Sequence, residues 1–212
     1  MAQSEIAEAI SRSRQYLRDS PERARSRDSM ATAVLEDGLR MRVGGPRGWS
    51  LVTDMAPGVG GLGSAPPPGW MLRAASAACL ASLIAMRAAE TGVTLSLLEV
   101  EVDSESDDRG LLGLDDDIPA GPLGLRTVVR VAAKDADEPT LHAMVRWADE
   151  HSPVDDAVRR AVPVELVIVV GAYPRQKGRA GDGGRSRRRP VYSGPIAEVL
   201  AEGVEDRHLA LH

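Results

Sequence analysis

The sequence predicts an α+β fold, because one long helical segment lies between segments that alternate as β-strands do. Residues 71–89 form a run of small and apolar side chains typical of a central helix. Alternating apolar residues predict a strand before it, at residues 39–43, and another after it, at residues 95–102. Aromatic residues make up only 3% of the chain and phenylalanine is absent. The core must therefore consist of aliphatic side chains, which favours close helix packing.

Length, charge and cysteine content narrow the class of protein. A chain of 212 residues is long enough for one well-cored domain with an appendage. The net charge of -5 argues against a specific nucleic-acid binder. A single cysteine excludes an intramolecular disulfide and fits a reducing compartment. The N-terminus lacks the apolar stretch of a signal peptide, so we expect a cytoplasmic protein.

The apolar run at residues 71–89 raises the question of a membrane span. It contains Arg73 and Arg87 as well as several alanines and serines. A spanning helix needs about 20 predominantly apolar residues with few or no charges. We therefore interpret this run as a helix buried in the protein core and expect no membrane partner.

The N-terminal part of the chain predicts a helix, a linker and a hairpin. Residues 5–18 form a helix that Ser4 caps, and residues 19–29 are a polar linker, so residues 1–30 lie outside the main domain. Strands at 39–43 and 49–53 flank a Gly/Pro turn and predict a hairpin. A Gly/Pro-rich loop then leads into the long helix, which enters at Trp70 and ends near Gly92.

The C-terminal part predicts two further strands and two helices before a last strand. An acidic loop at 103–121 separates the strand at 95–102 from one at 123–132. An amphipathic helix follows at 139–151, with a short helical turn at 155–161. The apolar face of the helix at 139–151 consists of Leu141, Met144, Val145 and Ala148. Residues 162–170 are the most hydrophobic predicted strand and close a domain spanning residues 31–171.

Residues 172–212 differ in composition from the rest of the chain. Arginine and lysine are interspersed with glycines over residues 172–189, which leaves too little apolar surface to fold. We expect a basic, disordered tail with a short terminal helix at 195–201. Because no aromatic residue lies within the basic run at 175–189, we expect this tail to make only weak, nonspecific contact with nucleic acid.

Three segments carry a resemblance to a known family. They are the alanine-rich AASAACL at 74–80, LLEVEV at 97–102 and SPVDDAVRRAVPV at 152–164. In this order and spacing the chain resembles the OsmC/Ohr family of thiol-dependent peroxide-handling proteins over residues 32–170. The resemblance implies an intertwined homodimer, in which two long central helices are wrapped by antiparallel sheets from both subunits and the sites lie at the subunit interface.

The resemblance also assigns candidate site residues. Cys79 matches the peroxidatic cysteine, and Arg40 is the nearest match to the catalytic arginine, which comes from the early hairpin. Ser152 stands where the family has its second, resolving cysteine. Gly69 stands where the family has the glutamate that orients the arginine. The chain thus retains the nucleophile and lacks two groups that assist it.

The residues themselves leave two interpretations of Cys79 open. A thiol reacts as its thiolate, which a nearby cation favours. Cys79 lies too far from the helix N-terminus for the dipole to help, so the cation must come from the hairpin or the other subunit. The alternative is an inert, buried cysteine on an alanine-rich helix. If Cys79 reacts, its sulfenic acid needs an external thiol reductant because Ser152 cannot form a disulfide, and over-oxidation is a hazard.

We therefore expect a peroxidase of the oxidative stress response that reduces small organic hydroperoxides. One alternative is a dimer that binds a small apolar ligand without redox turnover. The other is a thiol enzyme in which Cys79 attacks a carbonyl or sulfur centre. No cofactor or metal is expected, because the four histidines lack metal-ligand spacing and the acidic runs lack the pattern of a calcium loop.

Overall fold

The computed structural model describes residues 2–171, and the structural statements below concern that part of the chain. It has five α-helices and five β-strands. The helices are α1 (Gln3–Asp19), α2 (Pro68–Thr91), α3 (Asp108–Leu111), α4 (Glu138–Glu150) and α5 (Pro153–Arg160), and the strands are β1 (Thr32–Asp37), β2 (Arg40–Gly44), β3 (Ser50–Thr53), β4 (Leu95–Glu105) and β5 (Gly124–Ala133). The α+β class predicted from the sequence is confirmed. The tail and the terminal helix predicted at 195–201 lie outside the described residues.

The N-terminal strands form a three-stranded antiparallel sheet. The predicted hairpin is confirmed, since Met41 of β2 pairs with Thr53 of β3 and Gly44 pairs with Ser50. Strand β1, which the sequence did not predict, adds to the other edge of β2. All six side chains of β1 are exposed. No alternation between a buried and an exposed face therefore marks this strand in the sequence.

The second sheet is the β4–β5 pair, whose register runs from Leu95 opposite Ala133 to Glu105 opposite Gly124. Strand β4 extends three residues beyond its predicted end at Val102. These residues were assigned to an acidic loop, but their charges are compatible with an exposed strand face. Arg126 of β5 pairs there with Asp103 at 3.3 Å. Cross-strand ion pairs of this kind support antiparallel pairing.

The core lies where α2 meets α4 and the β4–β5 sheet. The fully buried apolar side chains come from one side of α2, from α4 and from the turn after α2. They are Leu80, Ile84, Ala88, Val93, Met144 and Ala148. The predicted apolar face of α4 is confirmed, with Leu141 and Val145 packed at the margin of this cluster.

Helix α2 ends as predicted but is buried on one side only. Gly92 caps its C-terminus with a left-handed φ of 73°, and the chain turns there into β4. The prediction that α2 is surrounded by protein is wrong for the single chain, since only 17% of its most apolar 18-residue window is buried. Within residues 2–171, α2 is the one helix that is long and apolar enough to cross a membrane by length and composition.

Helix α1 packs against α2 and the turn that follows it. The side-chain amide of Gln3 donates to the carbonyl of Ala88 at 3.2 Å and also to that of Val93. Further along, Arg14 pairs with Glu90, which lies one turn beyond the core. These contacts hold α1 across the C-terminal half of α2.

The strand predicted at residues 162–170 is absent from the single chain. After α5, Ala161 adopts a left-handed conformation with φ 48° and ψ 62°, and the chain then runs on without strand pairing. Val164 and Val170 are each 90% exposed, and the apolar residues between them are also exposed. The hydrophobic pattern is present, but no strand within residues 2–171 pairs with it.

Candidate active site

Cys79 lies about three turns into α2 and is half-buried. The hydroxyl of Ser152 donates a hydrogen bond to its sulfur, with an Oγ–Sγ distance of 3.4 Å. Ser152 itself is fully buried, with 0% of its surface exposed. The structure therefore brings together the cysteine and the serine that stands in the position of the family's second cysteine.

Ser152 is placed by the start of α5, where it is the N-cap residue. Its Oγ accepts a hydrogen bond from the backbone N–H of Asp155 at 3.4 Å. Its carbonyl accepts from the N–H of Asp156 at 2.8 Å. Pro153 occupies the first helical position, where the absence of an N–H costs nothing. A Ser-Pro sequence at this point thus fixes both the helix start and the direction of the hydroxyl.

A second polar contact joins α2 to α5 beside the cysteine. Ser76, one turn before Cys79, is buried and donates its hydroxyl proton to Oδ1 of Asp155. The other oxygen, Oδ2, is buried and has no hydrogen-bond partner within residues 2–171. We call Ser76, Cys79, Ser152 and Asp155 the α2–α5 seam. Sequence reasoning missed Asp155, although Ser152 and an acidic residue three positions later form the sequence signature of a helix N-terminus.

Arg40 lies in the hairpin and has partners of its own. Its Nε pairs with Glu36 at 3.2 Å, and its Nη1 donates to the hydroxyl of Ser64 at 2.7 Å. Within the described chain, neither Arg40 nor any other arginine donates a hydrogen bond to Cys79. The single chain therefore does not bring the two predicted site residues together.

The carboxylates around Arg40 are held in their charged forms. The pKa of Glu36 lies below its ordinary value, chiefly because Arg42 donates a hydrogen bond to it and also because Arg40 does. The pKa of Asp54 is also lowered, first by the backbone N–H and then by the hydroxyl of Ser64. Asp54 is 1% exposed, and it also accepts from the N–H groups of Met55 and Leu62. This network fastens the loop after β3 next to Arg40.

Gly69 lies in the first turn of α2, and an added Cβ there would meet no atom within 4 Å. It lines a cavity of about 450 Å³ between the start of α2 and the loop that follows β4. The larger apolar side chains of its wall are those of Met55, Trp70, Leu72, Leu111 and Leu125. Arg73 lines the same cavity and donates to Ser104 at 2.9 Å. Cys79 is not part of this wall.

The histidines in the described part of the chain are engaged elsewhere. His142 faces Glu138 one turn away on α4, with 3.4 Å between Nε2 and Oε1. His151 stacks on Trp147 with ring centroids 4.4 Å apart. Residues 2–171 contain no group of three or more His, Cys, Asp or Glu side chains that could hold a metal ion. The other two histidines, His208 and His212, lie outside the described residues.

The protein is a small α+β domain with a single cysteine. This cysteine lies on the central helix α2 and faces the residue that caps α5. The sequence model for OsmC-like protein matches residues 61–167, just over half of the chain. The chain therefore belongs to the OsmC-like protein family. The resemblance drawn from the sequence is confirmed at this level. No match was found among curated proteins.

Solved structures share this fold at low sequence identity. An OsmC-like protein from Mycoplasma pneumoniae has a TM-score of 0.54 and 14% identity, with 64% of this chain and 89% of that chain covered. A protein from Psychrobacter arcticus is described as an osmotic stress induced and detoxification response protein. Its TM-score is 0.51 at 16% identity, with 63% of this chain and 90% of that chain covered. Below this level of similarity, an organic hydroperoxide resistance protein OsmC from Legionella pneumophila has a TM-score of 0.48 and 21% identity, with 64% and 91% covered, which is too weak a likeness to show a shared fold.

Proposed function

We propose that this protein is a cytoplasmic thiol peroxidase that reduces small organic hydroperoxides at Cys79 and draws electrons from an external thiol. The observation that carries the proposal is the α2–α5 seam, where a half-buried sulfur accepts a hydrogen bond from a buried hydroxyl. Membership of the OsmC-like family supports the assignment. The Psychrobacter protein is described as a detoxification response protein, and removal of hydroperoxides is compatible with such a role.

The proposed reaction transfers one oxygen atom from the peroxide to the sulfur. The Cys79 thiolate attacks the terminal oxygen of the hydroperoxide, so that an S–O bond forms as the O–O bond breaks. The alkoxide leaves and takes a proton from solvent to become an alcohol. Sulfur is oxidised to sulfenic acid and the peroxide is reduced.

Regeneration of the thiol requires two equivalents of the external reductant. The first thiol attacks the sulfenic sulfur and displaces water, which leaves a mixed disulfide. The second thiol attacks that disulfide and releases Cys79 as the thiolate. Ser152 occupies the place from which an internal thiol would act, and its oxygen cannot form a disulfide.

The proposal includes a homodimer, and three surfaces of the single chain support it. One side of α2 is apolar and exposed, and it includes Met86 at 38% exposure. Residues 162–170 form an apolar segment without a paired strand. Strand β1 exposes Val34 and Leu35 at 57% and 61%. Exposed apolar side chains on three elements are typical of an interface, because monomeric soluble proteins rarely leave large apolar patches open to water.

In this dimer the cation for Cys79 comes from the second copy. A thiolate on a neutral helix needs a positive group nearby to be populated near neutral pH. Arg40 of the partner subunit is the candidate, since the family resemblance places the catalytic arginine in this hairpin, where Arg40 contacts Glu36 and Ser64. Its guanidinium has five N–H donors, so it can retain these contacts and still approach the sulfur.

The test is turnover of cumene hydroperoxide with dithiothreitol as reductant. We expect turnover in the wild type, none with Cys79→Ser, and about a tenfold or greater loss with Arg40→Gln. Arg126→Gln is the matched control, because Arg126 is an exposed arginine on β5 paired with Asp103. Equal turnover in the wild type and Cys79→Ser would overturn the proposal. Equal turnover with Arg40→Gln would remove Arg40 from it.

The cavity beside Gly69 favours a second candidate function, namely binding of a small apolar ligand without redox turnover. Its volume of about 450 Å³ and its largely apolar wall are typical of a small-molecule site. Trp70, in the wall, provides a spectroscopic signal. Binding of cumyl alcohol is expected to change tryptophan fluorescence in the wild type and in Trp49→Phe, and to lose that change in Trp70→Phe. Such binding without peroxide turnover would favour this second function.

A further inference from the structure

The hydroxyl of Ser152 has one hydrogen to donate, and the geometry leaves it one acceptor. A serine hydroxyl has one O–H donor and two lone pairs. The cap contact from the N–H of Asp155 uses a lone pair. The proton is left for the sulfur of Cys79, 3.4 Å away. Because Ser152 is 0% exposed, bulk water does not compete for this proton.

The contact is held from both sides. On α5 the serine is fixed as the cap of the helix, and on α2 the cysteine lies one turn after Ser76. The bond from Ser76 to Asp155 joins the same two helices at the adjacent turn. Neither helix can shift along the other without breaking one of these bonds, so the Oγ–Sγ distance is set by the packing of the seam.

We propose that Ser152 is a positioning residue of the Cys79 site, whose hydroxyl donates to the sulfur and stabilises its thiolate. The proposal deepens the peroxidase function and rests on it. A serine at this place cannot resolve a sulfenic acid, but it can favour the form of the sulfur that attacks the peroxide. With serine at this position the site cannot form an internal disulfide, but its nucleophile is stabilised.

The other charge in the seam acts in the opposite direction. Asp155 on α5 has one buried carboxylate oxygen, and a negative charge there disfavours a thiolate on the facing helix. The hydroxyl of Ser76 donates to that carboxylate and reduces its effect. Within the seam, Ser152 is therefore the group that favours the thiolate.

The test follows the ultraviolet absorbance of the thiolate against pH, with Cys79→Ser subtracted as background. The single cysteine makes this signal specific. We expect Ser152→Ala to move the midpoint of thiolate formation up by about one pH unit, because a hydrogen bond to a charged group is lost. Ser152→Thr keeps a hydroxyl and should restore the wild-type midpoint. Ser82→Ala, which removes an exposed hydroxyl on the same helix, should leave it unchanged.

A second variant separates the effect of losing the hydroxyl from the effect of losing the helix cap. Glycine is nearly as good an N-cap as serine but has no hydroxyl, so Ser152→Gly should fold and show the same upward shift. An unchanged midpoint in Ser152→Gly or in folded Ser152→Ala would overturn the proposal. The titration uses no peroxide, so it tests the role of Ser152 separately from catalysis. An upward shift of the midpoint in a protein that shows no peroxide turnover would support the role of Ser152 and contradict only the peroxidase function.

Discussion

The Oγ atom of Ser152 lies 3.4 Å from the Sγ atom of Cys79, although 73 positions of the chain separate the two residues. The contact joins the middle of α2 to the residue that caps the N-terminus of α5. It depends on the fold of a single chain and needs no second subunit. The chain therefore provides its own neighbour for the sulfur, while the cation proposed for the same sulfur comes from elsewhere.

This proximity predicts a disulfide in Ser152→Cys. The new thiol would lie close enough to Cys79 for a small side-chain rotation to bring the two sulfur atoms into bonding distance. Treatment with one equivalent of peroxide should remove two hydrogens from the protein mass and leave no free thiol. Intact mass spectrometry with thiol titration measures both.

The control is Ser96→Cys, which likewise adds one thiol but places it at an exposed position on β4, away from Cys79. At low protein concentration it should retain two oxidisable thiols without an internal bond. Failure of Ser152→Cys to form the bond, with a folded protein, would show that the seam is not arranged as described.

Replacement of Ile84 by alanine should destabilise the protein strongly. Ile84 is 0% exposed and lies at the centre of the cluster between α2 and α4. Removal of a buried aliphatic side chain costs about 2–5 kcal/mol. Chemical denaturation should show this loss, whereas Leu114→Ala, at a 70% exposed position, should change the free energy of unfolding by about 0.5 kcal/mol or less.

Stability should fall at acidic pH in a way that Asp54→Asn suppresses. The pKa of Asp54 in the folded protein lies below its ordinary value of 3.8 because Ser64 donates to it. The ionised carboxylate therefore contributes stability at pH values above the unfolded pKa, and this contribution is lost as pH falls through the folded pKa. The wild type should melt at a higher temperature than Asp54→Asn near neutral pH, and the difference should shrink on acidification.

Thermal melts across this range measure the effect, with Asp116→Asn, in an exposed loop, as the control. A difference between wild type and Asp54→Asn that stays constant down to strongly acidic pH would contradict the expected sign.

Introduction of a charge into residues 162–170 should weaken the proposed dimer. Ile168 is 74% exposed in the single chain and lies within the unpaired apolar segment. If a second copy covers it, Ile168→Asp buries a carboxylate without a partner, which is strongly unfavourable. Sedimentation velocity should show dimer for the wild type and for Leu114→Asp, and monomer for Ile168→Asp. A monomeric wild type would contradict the dimer itself.

The long helix and the hairpin were predictable because their signals are local. Gly92 ends α2 through its own backbone conformation, and the Gly/Pro turn between β2 and β3 defines a hairpin without reference to the rest of the chain. The helix starts at Pro68, two residues before the predicted Trp70. Proline at the first helical position extends the helix into what reads as loop.

The predictions failed where the burial of a segment depends on which other segment packs against it. Periodicity identifies apolar side chains in α2 and in residues 162–170, but it cannot tell whether the fold of the single chain buries them. Strand β1 has no buried face at all and so no pattern. At the site, Cys79 and Ser152 were found through the family resemblance. Asp155 was missed because its role depends on a contact with Ser76 across two helices.

Ala161 has a consequence for protein engineering. An alanine in a left-handed conformation is unfavourable by roughly 1 kcal/mol relative to its normal backbone, and glycine would avoid most of that strain. Glycine would also widen the range of directions in which the chain leaves α5. The strained alanine thus restricts the directions that residues 162–170 can take. Ala161→Gly would therefore raise thermal stability but leave the orientation of that segment less well defined.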